Sequence, residues 1–221
     1  MVKFILSLLA LTLVSCTSTN ERTPLFNGKD LSGWQGDEEL WQVKDGVIVG
    51  STFDKTIPSN RFLSWESDVE NFELTFEAKV EGENNSGVMY RSQPHDKEKL
   101  RLKGNQCDIH PKPEYCAMLY SEATGRKIIA ERGTKVKVPA ETGEPQVLWK
   151  SPEVSAVDIS KWQTYKIVAQ GNKLQHYVNG ELAMELTDNH KDIALKGILA
   201  LQLHRGKPMK AYFKNIYLKN L

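Results

Sequence analysis

The chain has 221 residues, and Lys+Arg 29 against Asp+Glu 28 leaves a formal net charge of +1. So even a balance creates no basic field that would draw in nucleic acid or an anionic lipid surface, so nucleic acid is not an expected partner. Once a leader is set aside, about 200 residues remain, enough for a single core and a single domain.

The leader comes first. Lys3 precedes an apolar run from Phe4 to Val14, about eleven residues and too short to span a bilayer. Leu13-Val14-Ser15-Cys16 then has the form of a lipobox, in which the cysteine is acylated and becomes the new N-terminus. The expectation is a signal peptide over residues 1–15, lipidation at Cys16, a polar tether over residues 16–24 and a folded domain over residues 25–221. Thr17 in place of an aspartate after Cys16 predicts an outer-membrane lipoprotein facing the periplasm or the cell surface. Its only hold on the membrane would be the N-terminal lipid. With Cys16 acylated, Cys107 and Cys116 are left as one pair in an oxidising compartment, and a disulfide between them is predicted. It would contribute about 2–3 kcal/mol.

Strand patterns dominate the rest. Trp41 to Val49 reads as a hairpin around Asp45-Gly46, and Lys173 to Met184 as another around Asn179-Gly180. Phe72 to Val80 alternates with one face wholly apolar. Thr164 to Ala169 alternates too, and Gly197 to His204 is a more continuously apolar strand. Ala211 to Leu218 closes the domain. Short strands punctuated by glycine along the whole length predict an all-β antiparallel sandwich. Residues 133–155, with Pro139, Pro145 and Pro152, read as a long loop on one sheet face.

Period-two geometry selects the polar side chains that can converge. Gln106, Asp108 and His110 share one face of the strand Gly104 to His110. Gln202 and His204 share the face opposite the leucines in Ile198 to His204. Arg91 is expected beside Met89, directly after Asn84-Asn85-Ser86-Gly87, and Tyr120 lies in Met118 to Glu122. Polar residues on one face of several strands resemble the lining of a carbohydrate cleft. A glucanase with a carboxylate pair would show Glu-x-Asp-x-(x)-Glu on one strand. The nearest stretch, Glu73-Leu74-Thr75-Phe76-Glu77, has threonine in the aspartate position, and the row Glu73, Glu77, Glu81 reads as solvated.

Seven motifs in order then point to a family. They are Leu25 to Trp34 with Trp41 to Gly50, Asn85 to Ser92, Gly104 to Ile109, Leu119 to Glu122, Trp162 to Gly180, Ala200 to Gly206 and Phe213 to Ile216. The chain resembles the 3-keto-disaccharide hydrolase domain family from Leu25 to Leu221. That resemblance implies a concanavalin A-like jelly-roll β-sandwich of two antiparallel sheets. It also implies cleavage of glycosides already oxidised at C3. A general base removes the acidified C2 hydrogen, the C1 substituent leaves by β-elimination, and water adds to the enone.

Carried over by position, Asp108 or His204 would be the base, and Arg91 would stabilise the enolate with help from Gln106 and Gln202. His176 and Tyr120 would bind the oligosaccharide or glycoside substrate or act as the acid. Oxygen and imidazole donors at Asp108, His110 and His204 could also hold a divalent metal ion that polarises the carbonyl. Three departures from the family pattern stand beside the cleft: Asn105 in a usually aromatic position, Ala117 in a glycine position, and the Cys107–Cys116 segment with Pro111 and Pro113. The alternative to an enzyme is a carbohydrate-binding lipoprotein with the same sandwich and no turnover.

Overall fold

The computed structural model describes residues 21–96 and 101–221. The signal peptide, the lipidation at Cys16 and most of the tether lie outside the described residues.

The strands run in chain order as β1 (Thr23–Pro24), β2 (Trp34–Gln35), β3 (Trp41–Lys44), β4 (Val47–Ser51), β5 (Arg61–Val69) and β6 (Phe72–Gly82). Then come β7 (Ser86–Asp96), β8 (Arg101–Ile109), β9 (Leu119–Glu122), β10 (Lys127–Ala130), β11 (Thr134–Val138) and β12 (Gln146–Lys150). The last five are β13 (Gln163–Gln170), β14 (Lys173–Val178), β15 (Glu181–Asp188), β16 (Gly197–Leu203) and β17 (Met209–Asn220). A single 3-10 turn, Pro113–Tyr115, lies between β8 and β9.

The larger sheet has the order β12-β11-β15-β14-β13-β6-β17-β4-β3, with β1 on β17. The smaller has the order β10-β9-β8-β7-β16-β5-β2. The architecture is the expected all-β jelly-roll sandwich of two mostly antiparallel sheets, with one parallel pair, β11 and β15. Both hairpin turns form with positive φ at their two central residues, Asp45 and Gly46 in one, Asn179 and Gly180 in the other. Such turns match the twist of the flanking strands, which is why Asp-Gly and Asn-Gly mark them.

The apolar face of β6 (Phe72, Leu74, Phe76, Ala78, Val80) is buried against the smaller sheet, and Phe76 stacks on Tyr165 at 5.3 Å. Its polar face carries the glutamates, which pair outward: Glu73 with Arg22, Glu77 with Lys214, Glu81 with Lys79.

Two sequence expectations fail here. Residues 133–155 are not a long loop, because β11 and β12 pair within them. Thr134, Val136 and Val138 are buried alternately with exposed lysines, and the prolines lie outside both strands rather than in them. Nor is there a disulfide: Cys107 and Cys116 are free thiols buried in the core. Cys116 Sγ lies 3.7 Å from the Tyr165 hydroxyl. Burial pushes both thiols above their ordinary range. Neither therefore supplies the thiolate that would start an exchange.

Candidate active site

A hollow of about 280 Å³ opens on the face of the smaller sheet that is turned away from the larger one. Gln106, Asp108, His110, Tyr120, Glu122 and His204 line it. Alternation builds it. Cys107 and Ile109 of β8 enter the core, so Gln106 and Asp108 must face the other way, with His110 just beyond the strand. Tyr120 and Glu122 are likewise two apart on β9, and β9 pairs with β8. His204 follows the last residue of β16.

The run Asn84 to Gly87 supports this set residue by residue. Asn84 Nδ2 donates to the carbonyls of His204, Arg205 and Lys207 at 3.3, 3.1 and 2.8 Å, fixing the bend that carries His204. Asn85 Nδ2 donates to Asp108 Oδ1 at 3.0 Å. Ser86 Oγ donates to the Gln202 carbonyl at 2.7 Å. Gly87 opposes Asp108 across the β7–β8 ladder, and a Cβ there would meet Gln106 Cδ at 2.6 Å. The missing side chain lets Gln106 lie over β7. It donates to Asp108 Oδ1 at 3.2 Å and accepts from Gln202 Nε2 at 2.7 Å.

Two amides thus converge on one oxygen of a buried carboxylate. They favour its charge, but desolvation outweighs them and Glu122 adds repulsion, so Asp108 is pushed up to about 7. Burial also raises Glu122, against the pull of His204, Arg205 and Arg101. The two histidines use their Nδ1 atoms in opposite senses. His204 Nδ1 is 2.8 Å from the Arg205 carbonyl, which can only accept, so that nitrogen carries a proton. His110 Nδ1 accepts from the Lys112 amide at 3.0 Å, leaving a proton on Nε2. Burial and Lys112 lower the His110 pKa and keep the ring neutral. A base near neutrality, a neutral N–H donor and a second carboxyl therefore face one space.

Of the residues expected from sequence, Asp108, Gln106, His110, Tyr120 and His204 meet in the hollow. Gln202 stands behind it, fully buried, and orients Gln106. Arg91 is a correction. A bulge between Tyr90 and Gln93 breaks the alternation, and Arg91 sits at φ 48. Its guanidinium donates to the carbonyls of Glu70 and Gly171 and to Asn71 Oδ1, so it holds two turns together and reaches no substrate.

His176 is another correction. It lies between the sheets, on the inner face of β14 with Leu174 and Val178, and is fully buried. Its Nε2 accepts from the Tyr90 hydroxyl at 2.9 Å and its Nδ1 donates to the Ala117 carbonyl at 3.1 Å. Burial lowers its pKa to about 4, so it is neutral. Among the described residues no three His, Cys, Asp or Glu side chains are grouped to hold a metal ion. Asp108, His110 and His204 therefore do not form a ligand set for the divalent ion. Glu122 and Asn85 went unnoticed in the sequence. Glu122 was legible there, two residues after Tyr120 on the same strand face.

Ala117, the departure at a glycine position, has φ 61. Its backbone joins Asp108 to the core: its amide donates to the Asp108 carbonyl at 2.8 Å while its own carbonyl receives His176. A left-handed backbone strains any residue with a Cβ. Ala117→Gly should therefore stabilise the domain by about 1 kcal/mol in chemical denaturation, despite the greater freedom it gives the unfolded chain.

The 3-keto-alpha-glucoside-1,2-lyase-like domain model matches residues 21–219. The chain belongs to that family. No curated protein matches it. Among solved structures, it is 25% identical to a "putative glycosyl hydrolase" from Parabacteroides distasonis, with TM-score 0.64 over 95% of this chain and 98% of that one. A second so described, from the same organism, is 19% identical with TM-score 0.62, covering 91% and 100%. The carbohydrate-binding module CBM66 from Bacillus subtilis is 15% identical with TM-score 0.57, covering 85% and 96%, and shares the fold. Membership of the 3-keto-alpha-glucoside-1,2-lyase-like family marks the chain as a carbohydrate-active, glycosyl-hydrolase-like protein.

Proposed function

We propose that the protein cleaves 3-keto-glycosides by elimination across C1 and C2 followed by hydration. One observation carries this reading: the buried Asp108 carboxyl, oriented through one oxygen by Asn85 and Gln106, opens into a hollow shared with His110, Glu122 and His204.

Asp108 as carboxylate takes the C2 proton. The C2–H electron pair becomes the C1=C2 bond and the C1–O bond breaks. The neutral His110 Nε2–H donates to the C3 oxygen as charge develops there, the task first expected of Arg91. Asp108 and Glu122 face one space and titrate as a pair, and the reactive form is the one that carries the pair's proton on Glu122, which gives it to the departing oxygen. Water then adds at C1, oriented by His204 Nε2. Its proton returns to Glu122, and Asp108, after exchanging its proton with solvent through the open hollow, protonates C2. Every group ends as it began.

Incubating the mature domain with a 3-keto-disaccharide in deuterium oxide tests the sequence of steps. Mass spectrometry should find one deuterium at C2 of the released 3-keto-sugar. His204→Ala should slow release by about 10²-fold. A product with unlabelled C2, together with no unsaturated 3-ketone in the quenched reaction, means direct hydrolysis and refutes elimination. Saturable binding without release would make the protein a carbohydrate binder.

A further inference from the structure

A second hollow, about 300 Å³, adjoins the first, and Glu122 lines both. Its other walls include Asn60, His95, Arg101, Leu102 and Arg205. Asn60 forms the seam: its Nδ2 donates to Glu122 Oε1 at 3.2 Å and its Oδ1 accepts the Arg205 amide at 3.0 Å. Resting on the reading above, we propose that this second hollow receives the departing C1 substituent and that Arg205 selects substituents bearing a carboxylate, such as a uronic acid residue.

The seam fixes the direction. If Glu122 protonates the leaving oxygen, the 3-keto ring lies on the Asp108 side and the rest of the glycoside must extend past Glu122 into the second space. Arg205 is set for a ligand by an asymmetry in its own bonding. Its backbone is pinned at both ends, the amide by Asn60 and the carbonyl by Asn84 Nδ2 and His204 Nδ1. Its guanidinium has no hydrogen-bond or ion-pair partner within the described residues. A fixed backbone with an unspent planar fork suits a carboxylate, which takes two parallel N–H donors. Arg101 and Arg205 both act on Glu122 to favour its charge, so positive potential reaches the seam. Proton loss from Glu122 and arrival of an anionic leaving group therefore draw on the same guanidinium.

The test uses two 3-keto-glucosides with the same sugar and a para-carboxyphenyl or a para-carbamoylphenyl leaving group. Binding is measured by calorimetry to Asp108→Asn protein, which removes turnover, and kcat/KM is measured on the native protein. The carboxylate should bind about tenfold tighter than the amide, a preference that falls at high salt. Adding Arg205→Gln should bring the ratio close to one. Equal affinity for both glycosides, or a preference that survives Arg205→Gln, overturns the assignment of the subsite. Absence of turnover with the preference intact would refute the elimination chemistry and leave the subsite standing.

Discussion

Asp108→Asn should lower kcat by about 10²–10⁴ while making the folded domain more stable at alkaline pH. Both effects have one cause. The carboxyl is buried, and its pKa rises from 3.8 to about 7. The unfolded chain releases this proton near pH 4, whereas the folded domain holds it until about pH 7. The stabilising neutral form is thus fully present at low pH and is lost as pH rises through about 7. Above that value the fold carries a charge that water would solvate better. Asparagine carries no charge at any pH, and its carbonyl oxygen can still accept from Asn85 and Gln106.

Thermal melts should therefore nearly coincide at pH 4 and separate by pH 8, where the asparagine variant gains about 2–4 kcal/mol. The native protein's kcat/KM should climb across the same interval as the base ionises. Melts that stay together at pH 8 would mean that Asp108 is not a strained carboxylate, and the base would have to be His204.

Arg91→Ala should show the reverse pattern. Arg91 is among the largest fully buried side chains, and its guanidinium satisfies two carbonyls and the Asn71 amide oxygen. Truncation empties the space of a fully buried side chain and takes the donors from the Glu70 and Gly171 carbonyls, at a cost of about 3 kcal/mol. Turnover measured well below the melting temperature should stay within a few-fold of the native value, since nothing in the hollow touches this residue. A variant that melts normally but is inactive would put Arg91 back in the chemistry.

These two residues also show what the sequence could and could not reveal. Asp108 was legible because β8 alternates without interruption through it, so cysteine and isoleucine in the core fix where aspartate and glutamine point. Arg91 was not, because a bulge changes the count by one and carries no composition signal of its own. His176 was misread for a different reason. Leu174 and Val178 on either side already showed an inward face, but a histidine suggests chemistry wherever it stands. The Cys107–Cys116 pair followed from compartment and arithmetic, neither of which reports how thiols pack. The hairpins were plain from Asp45-Gly46 and Asn179-Gly180, where local backbone conformation and residue type are tightly linked. The β11–β12 pairing was hidden because three prolines suggested irregular chain through the whole segment.

The tetrapeptide Asn84 to Gly87 has an implication for how such a protein can diverge. Its four residues brace the bend under His204, the carboxyl of Asp108, the backbone of Gln202 and the path of Gln106. Proton-transfer groups contributed by distant ribbons are thus indexed to one short turn, and lengthening or shortening it would misalign them together. Much of the wall of the neighbouring hollow comes from elsewhere, from chain near Asn60 and His95. New substrate preferences can therefore accumulate in that wall while the reacting groups keep their alignment.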